Sequence, residues 1–277
     1  MPELPEVETM CRGLAACLGR RVQAVSTPPC RYRPISIQPP IASLQRRLRG
    51  QVVTEIRRLG KRVVLLTAEL ALILQPKMSG LVVLEQPPDA DHVRLKIDFS
   101  GQPPLSLLFW DRRGLGTVEL IPRSEIESRI VSGRLGPDAL AISGEEFARR
   151  LSKTARPIKV ALLDQKLLAG IGNLYASEML HMARIHPRTP CVDIGPRKVA
   201  RLYQAMRSIL LTAIAHEGST LSDGTYRNAL NNPGSYQSQH RVYDRAGLTC
   251  PACHRGKITR IVQGGRSTFY CPNCQRL

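Results

Sequence analysis

The chain has 277 residues, 43% of them hydrophobic, and carries a formal net charge of +18. This length allows a sizeable core in two or three domains, and no apolar run approaches the ~20 residues that a membrane-spanning helix needs. The N-terminus lacks the basic start and apolar stretch of a signal peptide, which predicts a cytoplasmic protein.

The positive charge predicts a polyanionic partner, because clustered Lys and Arg gain affinity by displacing condensed counterions from phosphates. An anionic membrane surface is the competing interpretation, but the sequence has no basic amphipathic helix with aromatic anchors. Aromatic residues make up only 4% of the chain, too few for a stacking platform that binds single strands. We therefore expect a nucleic-acid duplex, held mainly through its backbone.

The opening stretch, Met1-Pro2-Glu3-Leu4-Pro5-Glu6, leads into a predicted helix over residues 5–18, where apolar side chains follow an i, i+3, i+4 pattern. Pro2 directly follows the initiator, a context in which methionine is usually removed, so the mature chain would begin with a secondary amine beside the Glu3 carboxylate. A free α-amino group has a pKa of ~7.7–8.0, so part of it is an unprotonated nucleophile near neutral pH. Taken alone, the stretch fits an ordinary helix start or a reaction centre.

The next segment contains short β-branched or aliphatic runs separated by Gly, Pro and Asp, a spacing typical of a β-sandwich or barrel. The absence of alternating long helices argues against a parallel doubly wound sheet. The predicted strands are Val22–Ser26, Val52–Arg57, Arg62–Thr67, Leu70–Gln75, Leu81–Glu85, Val93–Phe99, Leu105–Trp110 and Thr117–Ile121.

Three turns between these strands combine basic and apolar residues. They are Gly60-Lys61-Arg62, Lys77-Met78-Ser79-Gly80 and Asp111-Arg112-Arg113-Gly114-Leu115-Gly116-Thr117. Apolar side chains beside Arg at turn tips can wedge between base steps of a duplex, although each turn alone also fits an ordinary packed connection. His92 opens a strand, and alone it is expected to be a surface histidine.

Residues from about Pro122 to Ser143 are mixed and marked by Gly and Pro, and we interpret them as a linker. The helical patterns that follow predict a small all-α domain. Residues Ser219–Arg245 lack periodicity and predict a long loop. The predicted helices are Glu145–Leu151, Ile158–Leu168, Leu174–Ala183 and Pro196–His216.

The segment Leu167–Tyr175 lies between two of these helices and carries two glycines, which let a backbone approach a ligand closely. Asn173 suits a helix N-cap, and the N-terminus of the following helix offers N–H groups to a phosphate. With the basic residues Lys153 and Lys159 nearby, the segment fits a DNA clamp, and a plain helical hairpin fits it equally well.

Two CxxC pairs, Cys250 with Cys253 and Cys271 with Cys274, stand near the C-terminus. Four thiolates at this spacing close a tetrahedral zinc site with no open position, which would make the zinc structural. A redox pair is the competing interpretation. Between the pairs the sequence predicts a β-hairpin with Arg266 at its tip, where a phosphate contact is expected.

Together these motifs resemble the formamidopyrimidine-DNA glycosylases, bifunctional base-excision enzymes for oxidised purines, over essentially the whole chain. The related endonuclease VIII group typically has glycine at the position of Leu4, so the resemblance is to the purine branch. The motifs that carry it are the start Met1–Thr9, Gly60-Lys61, Lys77-Met78-x-Gly80, the turn bearing Arg113, Gly-x-Gly-Asn173-x-Tyr175 with Glu178, and the zinc finger with Arg266.

The resemblance implies an α+β multidomain fold with DNA in the cleft between its halves. The implied domains are an N-terminal catalytic β-sandwich with flanking helices at 1–122, a linker at 123–143, an all-α helix–two-turn–helix domain with a lesion-capping loop at 144–245, and a zinc-finger β-hairpin at 246–277.

The resemblance also implies roles for single residues. Pro2 would be the nucleophile and Glu3 its acid/base partner, with Lys61 and Arg266 as further proton or phosphate groups. Met78 and Arg113 would fill the gap left by an extruded base. The full set of expected DNA contacts is Met78, His92, Arg113, Leu115, Lys153, Lys159 and Asn173.

Leu115 departs from the family pattern, which usually has phenylalanine there, so this wedge is smaller and cannot stack as an aromatic ring. We expect one structural zinc, double-stranded DNA containing a damaged base as partner, a monomer, and no membrane association. Two other functions stay open from the sequence: an oxidised-pyrimidine glycosylase of the endonuclease VIII type, and a non-catalytic zinc-finger protein that binds duplex DNA.

Overall fold

A computed structural model describes residues 2–221 and 224–277 of the chain. Met1 lies outside the described residues, as do Ser222 and Asp223 of the expected capping loop. The chain forms two units: unit 1 comprises Met1–Ser132 with Ile214–Gln237, and unit 2 comprises Gly133–Ala213 with Ser238–Leu277. Within the described ranges, no helix is both long and apolar enough to cross a membrane.

The described residues of unit 1 form nine strands. They are β1 (Val22–Ser26), β2 (Ser36–Gln38), β3 (Glu55–Leu59), β4 (Arg62–Leu66), β5 (Leu70–Gln75), β6 (Gly80–Leu84), β7 (Val93–Phe99), β8 (Leu105–Asp111) and β9 (Thr117–Pro122). One sheet has the order β1-β7-β8-β6, and the other has the order β2-β9-β5-β4-β3. Paired strands are antiparallel except β2 and β9, which run parallel.

The two sheets share one hydrophobic core. Alternate residues of a strand face the same side, so Leu72 and Leu74 of one sheet are buried in the same cluster as Leu95 and Ile97 of the other. Helix α1 (Leu4–Gly13) adds Val7 and further apolar residues to this cluster. The predicted β-sandwich with a flanking helix is confirmed.

All eight predicted strands form, with some ends shifted, and the structure adds two elements that the sequence analysis missed. These are β2 and helix α2 (Ile41–Leu48). A three-residue strand is too short to show an alternating pattern, whereas α2 places Leu44 and Leu48 four residues apart, a spacing that could have been noticed. The predicted linker is also partly helical, with a 3-10 turn at Arg123–Glu125 and a π-turn at Glu127–Val131.

The first helix is shorter than predicted. It ends at Gly13, and a separate 3-10 turn covers Ala15–Cys17. The Leu14 N–H is shared between the Met10 and Cys11 carbonyls, at 3.2 and 3.3 Å. Such a shared bond is a common helix ending, and it explains why an apolar pattern that runs on to Leu18 does not give one continuous helix.

Unit 2 contains helices and one hairpin. The helices are α3 (Gly144–Leu151), α4 (Ile158–Leu163), α5 (Asn173–Met182) and α6 (Pro196–Ala215), and the hairpin consists of β10 (Thr259–Gln263) and β11 (Arg266–Tyr270). Helix α4 stops before the predicted Leu168, because the backbone of Asp164 leaves the helical region with a φ of −76° and a ψ of 108°. The boundaries predicted at 122, 143 and 245 stay predictions.

Candidate active site and DNA-contact residues

Pro2 and Glu3 are buried at the start of α1. Glu3 is the N-cap residue and forms a capping box with Glu6, in which the Glu3 N–H donates to Glu6 Oε2 at 2.9 Å. Glu6, only 3% exposed, also accepts the Ser219 N–H at 2.9 Å through its second oxygen. The backbone that carries Pro2 is therefore fixed both by its own helix and by the segment around Ser219.

The Pro2 nitrogen is an amide as long as Met1 precedes it, and removal of Met1 converts it into a secondary amine. A buried carboxylate one residue away gives this position a proton donor or acceptor, depending on its state. Both groups lie on the first turn of a packed helix, which restricts their movement. The arrangement has the parts that an amine nucleophile and its acid/base partner require.

Lys61 lies at the turn between β3 and β4, next to Gly60, whose φ of 57° is in the left-handed region that glycine tolerates. Helix α1 packs against both strands. The Arg58 side chain joins the two elements, since its Nε lies 3.0 Å from Glu8 Oε2 and one Nη donates to the Gly60 oxygen at 3.2 Å. The turn bearing Lys61 is thus tied to the helix that bears Pro2.

Asp111 organises the turn that carries Arg113. Its carboxylate is fully buried and accepts the backbone N–H groups of Leu115 at 2.8 Å and Gly116 at 2.7 Å, with Arg113 N at 3.1 Å. It also accepts the Ser79 hydroxyl at 2.6 Å, and Ser79 directly follows Met78. Two of the predicted wedge turns are therefore held together by one carboxylate.

The Arg113 turn also requires glycine at position 114. Gly114 has a φ of 61°, and a Cβ there would lie 2.3 Å from the Arg33 backbone oxygen. A side chain at 114 would therefore displace the turn. Arg113 is exposed and Leu115 is partly buried at this tip.

Met78 stands in a tight turn closed by the Gly80 N–H, which donates to the Pro76 oxygen at 2.8 Å. Lys77 has a φ of 54°, which costs a non-glycine residue of order 1–3 kcal/mol. Burial, and next the charge of Arg62, lowers the pKa of Lys77. Met78 itself remains 43% exposed, so the turn presents a large apolar side chain to solvent.

His92 is held on three sides. Its Nδ1 lies 2.7 Å from Asp89 Oδ1, its ring stacks on Tyr32 with centroids 4.5 Å apart, and its edge meets Trp110 at 5.6 Å. The Asp89 contact occupies one ring nitrogen and leaves the other as the group that could meet a phosphate. Tyr32, a residue that sequence reasoning did not single out, fixes the plane of the ring.

In unit 2, Asn173 is held by Lys159 and by the hairpin. Asn173 Oδ1 accepts from Lys159 Nζ at 2.8 Å, and Asn173 Nδ2 donates to the Ser267 backbone oxygen at 2.9 Å. Lys159 Nζ also donates to the Ser267 oxygen at 3.0 Å and to Thr268 Oγ1 at 2.6 Å. The lysine therefore connects α4, the start of α5 and strand β11.

This placement contradicts the prediction that Lys159 contacts DNA directly. The residue is 0% exposed, and a buried ammonium needs its hydrogen-bond partners within the protein. Lys153, in contrast, is exposed after α3. In the sequence, a lysine near other basic residues looks the same whether it is buried or exposed. The sequence therefore could not distinguish Lys159 from Lys153.

Arg266 is exposed at the first position of β11. The hairpin turns through Gly264 and Gly265, whose φ values of 57° and 71° are both positive, as in a type I′ turn. The predicted hairpin with Arg266 beside its tip is formed, and its first strand begins at Thr259.

The four cysteines fit a zinc ion. All four sulfur atoms lie within 4.8 Å of one another, with Cys250–Cys274 at 3.8 Å and Cys253–Cys271 at 3.7 Å. A regular tetrahedron with Zn–S bonds of about 2.3 Å has sulfur–sulfur edges of about 3.8 Å. The site holds one structural zinc with four protein ligands.

The thiols differ in how readily they ionise without a cation. The Gly256 N–H donates to Cys253 Sγ at 3.4 Å, and this bond is the largest of the causes that lower the pKa of Cys253 to about 5. Burial raises the pKa of Cys271 and Cys274. Zinc binds the thiolate form of cysteine, so metal binding releases protons and is coupled to folding of the finger.

Glu178 anchors the segment that leads into the finger. Its carboxylate, on α5, accepts the backbone N–H groups of Arg241 at 2.9 Å, Val242 at 3.0 Å and Tyr243 at 2.7 Å. Burial raises the pKa of Glu178, and these three bonds oppose that shift. Glu178 appeared in the sequence only as part of the family motif, without a role.

Three comparisons agree with this architecture. Family models match as "Formamidopyrimidine-DNA glycosylase N-terminal domain" over residues 1–118, "Formamidopyrimidine-DNA glycosylase H2TH domain" over 135–225, and "Zinc finger found in FPG and IleRS" over 247–277. These features define a DNA-repair glycosylase with a helix–two-turn–helix domain and a zinc finger.

Relatives identify the family. The formamidopyrimidine-DNA glycosylase of Thermus thermophilus is 39% identical over 99% of this chain and 98% of its own, and that of Streptococcus pneumoniae is 35% identical over 100% and 99%. The Lactococcus lactis Fpg in complex with DNA containing an abasic site has a TM-score of 0.88 at 29% identity, over 99% of this chain and 100% of that one. The chain belongs to the formamidopyrimidine-DNA glycosylase family and is a DNA glycosylase with lyase activity at abasic sites.

Proposed function

We propose that this enzyme removes oxidised purines, 8-oxoguanine and formamidopyrimidines, from duplex DNA and then cleaves the strand through a Schiff base on Pro2. The observation that carries the proposal is the buried Pro2–Glu3 pair at the capped start of α1, in a chain whose relatives bear the name formamidopyrimidine-DNA glycosylase. The Lactococcus lactis Fpg, which shares the fold, has been solved with DNA that contains Fapy-dG, at a TM-score of 0.87 and 29% identity.

The reaction begins with extrusion of the damaged nucleotide from the duplex, which costs a few kcal/mol and least for a damaged base. The Pro2 amine attacks the anomeric carbon of the sugar as the bond to the base breaks, and the base leaves with a proton. Loss of the amine proton and opening of the sugar ring give a cationic iminium, because a secondary amine has no second proton to lose. The carbon next to the iminium becomes acidic, and two successive eliminations release the 3′ and then the 5′ phosphate.

Glu3 supplies the proton transfer in this scheme. Its carboxyl group protonates the ring oxygen of the sugar as the ring opens. Lys61 is the competing nucleophile, but an ordinary lysine has a pKa near 10.4, so it is almost fully protonated at neutral pH. We assign Lys61 and Arg266 to phosphate or proton contacts instead.

Borohydride trapping on a duplex with an abasic site tests the nucleophile. We expect one covalent adduct per chain, and peptide mapping should place it on Pro2 of a protein whose intact mass shows that Met1 has been removed. Glu3→Gln should reduce trapping on lesion-containing duplex, while Lys61→Ala should still give the Pro2 adduct. An adduct that maps to Lys61, or the absence of any adduct, overturns the Pro2 assignment.

Excision assays test the substrate class. We expect faster excision from duplexes that carry 8-oxoguanine or a formamidopyrimidine than from duplexes that carry an oxidised pyrimidine. Preference for the pyrimidine lesion would instead indicate an activity of the endonuclease VIII type. Binding without excision of any lesion would indicate the non-catalytic duplex-binding protein.

We assign the DNA contacts to side chains that are exposed or partly exposed. We assign Met78, Arg113 and Leu115 to the gap left by the extruded base, with Arg113 pairing to the orphaned partner base. His92, Asn173 and Lys153 contact phosphates. The support is that Met78 and Arg113 are exposed on turns fixed by one buried carboxylate.

We further propose that the enzyme acts as a monomer in the cytoplasm, because its substrate is the DNA of a bacterial-type cell and its charge suits DNA rather than a second basic copy. Sedimentation of the protein with and without duplex DNA tests this. A single species of one chain is expected in the absence of DNA.

A further inference from the structure

His181 is a buried histidine beside the zinc cluster. It lies on α5, is 2% exposed, and its Nε2 atom is 3.3 Å from Cys250 Sγ. Its other ring nitrogen, Nδ1, has no hydrogen-bond partner within the described part of the chain. None of the roles assigned so far uses this side chain.

The two nitrogens determine which tautomer fits. A neutral imidazole has one N–H, on either Nδ1 or Nε2. With the proton on Nδ1, a buried donor would be unsatisfied and the Nε2 lone pair would face a negatively charged sulfur. With the proton on Nε2, the N–H points at the sulfur as a hydrogen bond that is assisted by the charge. The second arrangement removes both penalties.

We propose that His181 is a positioning residue for the metal site, which donates an Nε2–H hydrogen bond to the Cys250 thiolate and thereby stabilises the zinc-bound state of the finger. The bond connects helix α5 directly to a zinc ligand. The α-helical part of unit 2 and the finger are then coupled through the metal, in addition to the Lys159 and Glu178 contacts.

The net charge of the zinc site explains why this hydrogen bond stabilises the metal-bound state. A divalent zinc with four thiolates carries a net charge of two minus, and buried negative charge requires hydrogen-bond donors. Cys253 receives such a donor from the Gly256 backbone. Cys250 is fully buried, so solvent cannot supply one, and His181 provides it. Hydrogen bonds to metal-bound sulfur are known to tune such sites.

Two variants distinguish the effect of the N–H donor from the effect of the ring's size and shape. His181→Phe keeps a flat ring of similar size and removes the N–H, whereas His181→Gln keeps an N–H donor at a similar reach. We expect zinc transfer from His181→Phe to an excess of chelator to be about 10-fold faster than from wild type, the lower end of what loss of such a partner costs. His181→Gln should stay close to wild type.

Cobalt substitution gives a spectroscopic readout that folding alone does not move. In the Co²⁺ form, loss of the hydrogen bond raises the energy of the sulfur electrons, so the sulfur-to-metal charge-transfer band of His181→Phe should shift to longer wavelength. The band of His181→Gln should not shift. An unchanged band together with an unchanged transfer rate in His181→Phe overturns the proposal.

A measurement on the wild-type zinc protein keeps the proposal testable if His181→Phe fails to fold. The ¹⁵N spectrum of the side chain reports which ring nitrogen carries the proton. We expect protonated Nε2 and unprotonated Nδ1. Protonated Nδ1, or an Nε2 signal typical of direct metal coordination, excludes the hydrogen bond to Cys250.

Discussion

The reaction centre in unit 1 and the metal site in unit 2 are stabilised in different ways. In unit 1 the key carboxylates bind partners that are distant in the sequence, since Glu6 accepts from Ser219, 213 residues away, and Asp111 accepts from Ser79, 32 residues away. In unit 2 the four zinc ligands all lie between Cys250 and Cys274. The reaction centre therefore depends on the packing of a whole sandwich, and the metal site depends on a short segment and one ion.

The two sites should therefore respond differently to the loss of a single group. Loss of one buried carboxylate should disturb turns at several places in unit 1, because each carboxylate serves several N–H donors. Loss of the metal should disturb the finger and leave the sandwich folded.

Removal of zinc should unfold the finger selectively. Structural zinc sites contribute about 10–16 kcal/mol of apparent binding free energy to the folded form, more than a small hairpin can replace. After chelation, or in Cys250→Ser, the amides of β10 and β11 should lose protection from hydrogen exchange while those of β4 and β5 keep it. Affinity for duplex DNA should fall in the same samples.

Cys30→Ser is the matched control, because Cys30 lies in unit 1, outside the zinc cluster. Its exchange pattern and its DNA affinity should match those of wild type. Full duplex affinity after zinc has been removed would show that the finger is not needed for binding.

Replacement of Asp111 by alanine should destabilise unit 1 by about 4 kcal/mol. The change leaves several buried donors without an acceptor, and each such group costs about 1–3 kcal/mol. The wedge turns at Met78 and Arg113 should loosen together, so excision of 8-oxoguanine should fall more steeply than duplex binding. Urea unfolding and single-turnover excision measure the two effects.

Asp98→Ala provides the comparison for Asp111. Asp98 also accepts from a serine hydroxyl, Ser106, at 2.6 Å, but its side chain is 30% exposed. Water can replace its partner there, so a loss below about 1 kcal/mol is expected. Equal losses in the two variants would contradict the view that Asp111 organises the turns.

Features with a local sequence signal were predicted well. The strands of the sandwich, the hairpin with Arg266 and the four zinc ligands each follow from spacing and residue type within a short window. The whole-chain resemblance supplied the fold and the order of the domains. The start of α1 was also readable, since Glu3 and Glu6 stand three residues apart, as in a capping box.

Features that depend on burial could not be predicted from the sequence. Lys159 and Lys153 look alike in the sequence, yet one is inside the protein and the other is outside. His181 stands in an apolar helix where a core histidine is unremarkable, and only the distance to Cys250 shows its partner. Asp111 lies in a turn whose arginines give the stronger sequence signal, and only the structure shows that its carboxylate accepts the turn's N–H groups.

The two lysines should therefore respond differently to replacement by methionine. Lys153→Met should reduce the dependence of log affinity on log salt by about 0.9, the value for one phosphate contact, without a change in stability. Lys159→Met removes the ammonium donor from Asn173 Oδ1 and Thr268 Oγ1 and should cost about 3 kcal/mol of unfolding free energy. A Lys159→Met protein of unchanged stability but reduced salt dependence would restore the original prediction of direct contact.

The smallest expected effect is a loss of stability in acid that originates in unit 2. Burial, and next the charge of Arg245, lowers the pKa of His240 to about 4 from an ordinary value of 6.5. Below pH 6.5 the unfolded chain takes up a proton at this residue and the folded chain does not, so stability falls as the pH falls from about 6.5 to about 4. Between pH 7 and pH 5 His240 should account for about 2 kcal/mol of that loss.

His240→Gln isolates this contribution, because protonation of the zinc thiolates affects wild type and variant alike and cancels in their difference. Urea unfolding at pH 7, 6 and 5 should show a smaller loss of unfolding free energy for His240→Gln than for wild type. The control is His216→Gln, at a partly exposed histidine of unit 1, which should lose as much unfolding free energy as wild type. A variant with the same pH dependence as wild type would mean that the folded protein protonates His240 as easily as the unfolded chain. The acid sensitivity would then have to come from other groups.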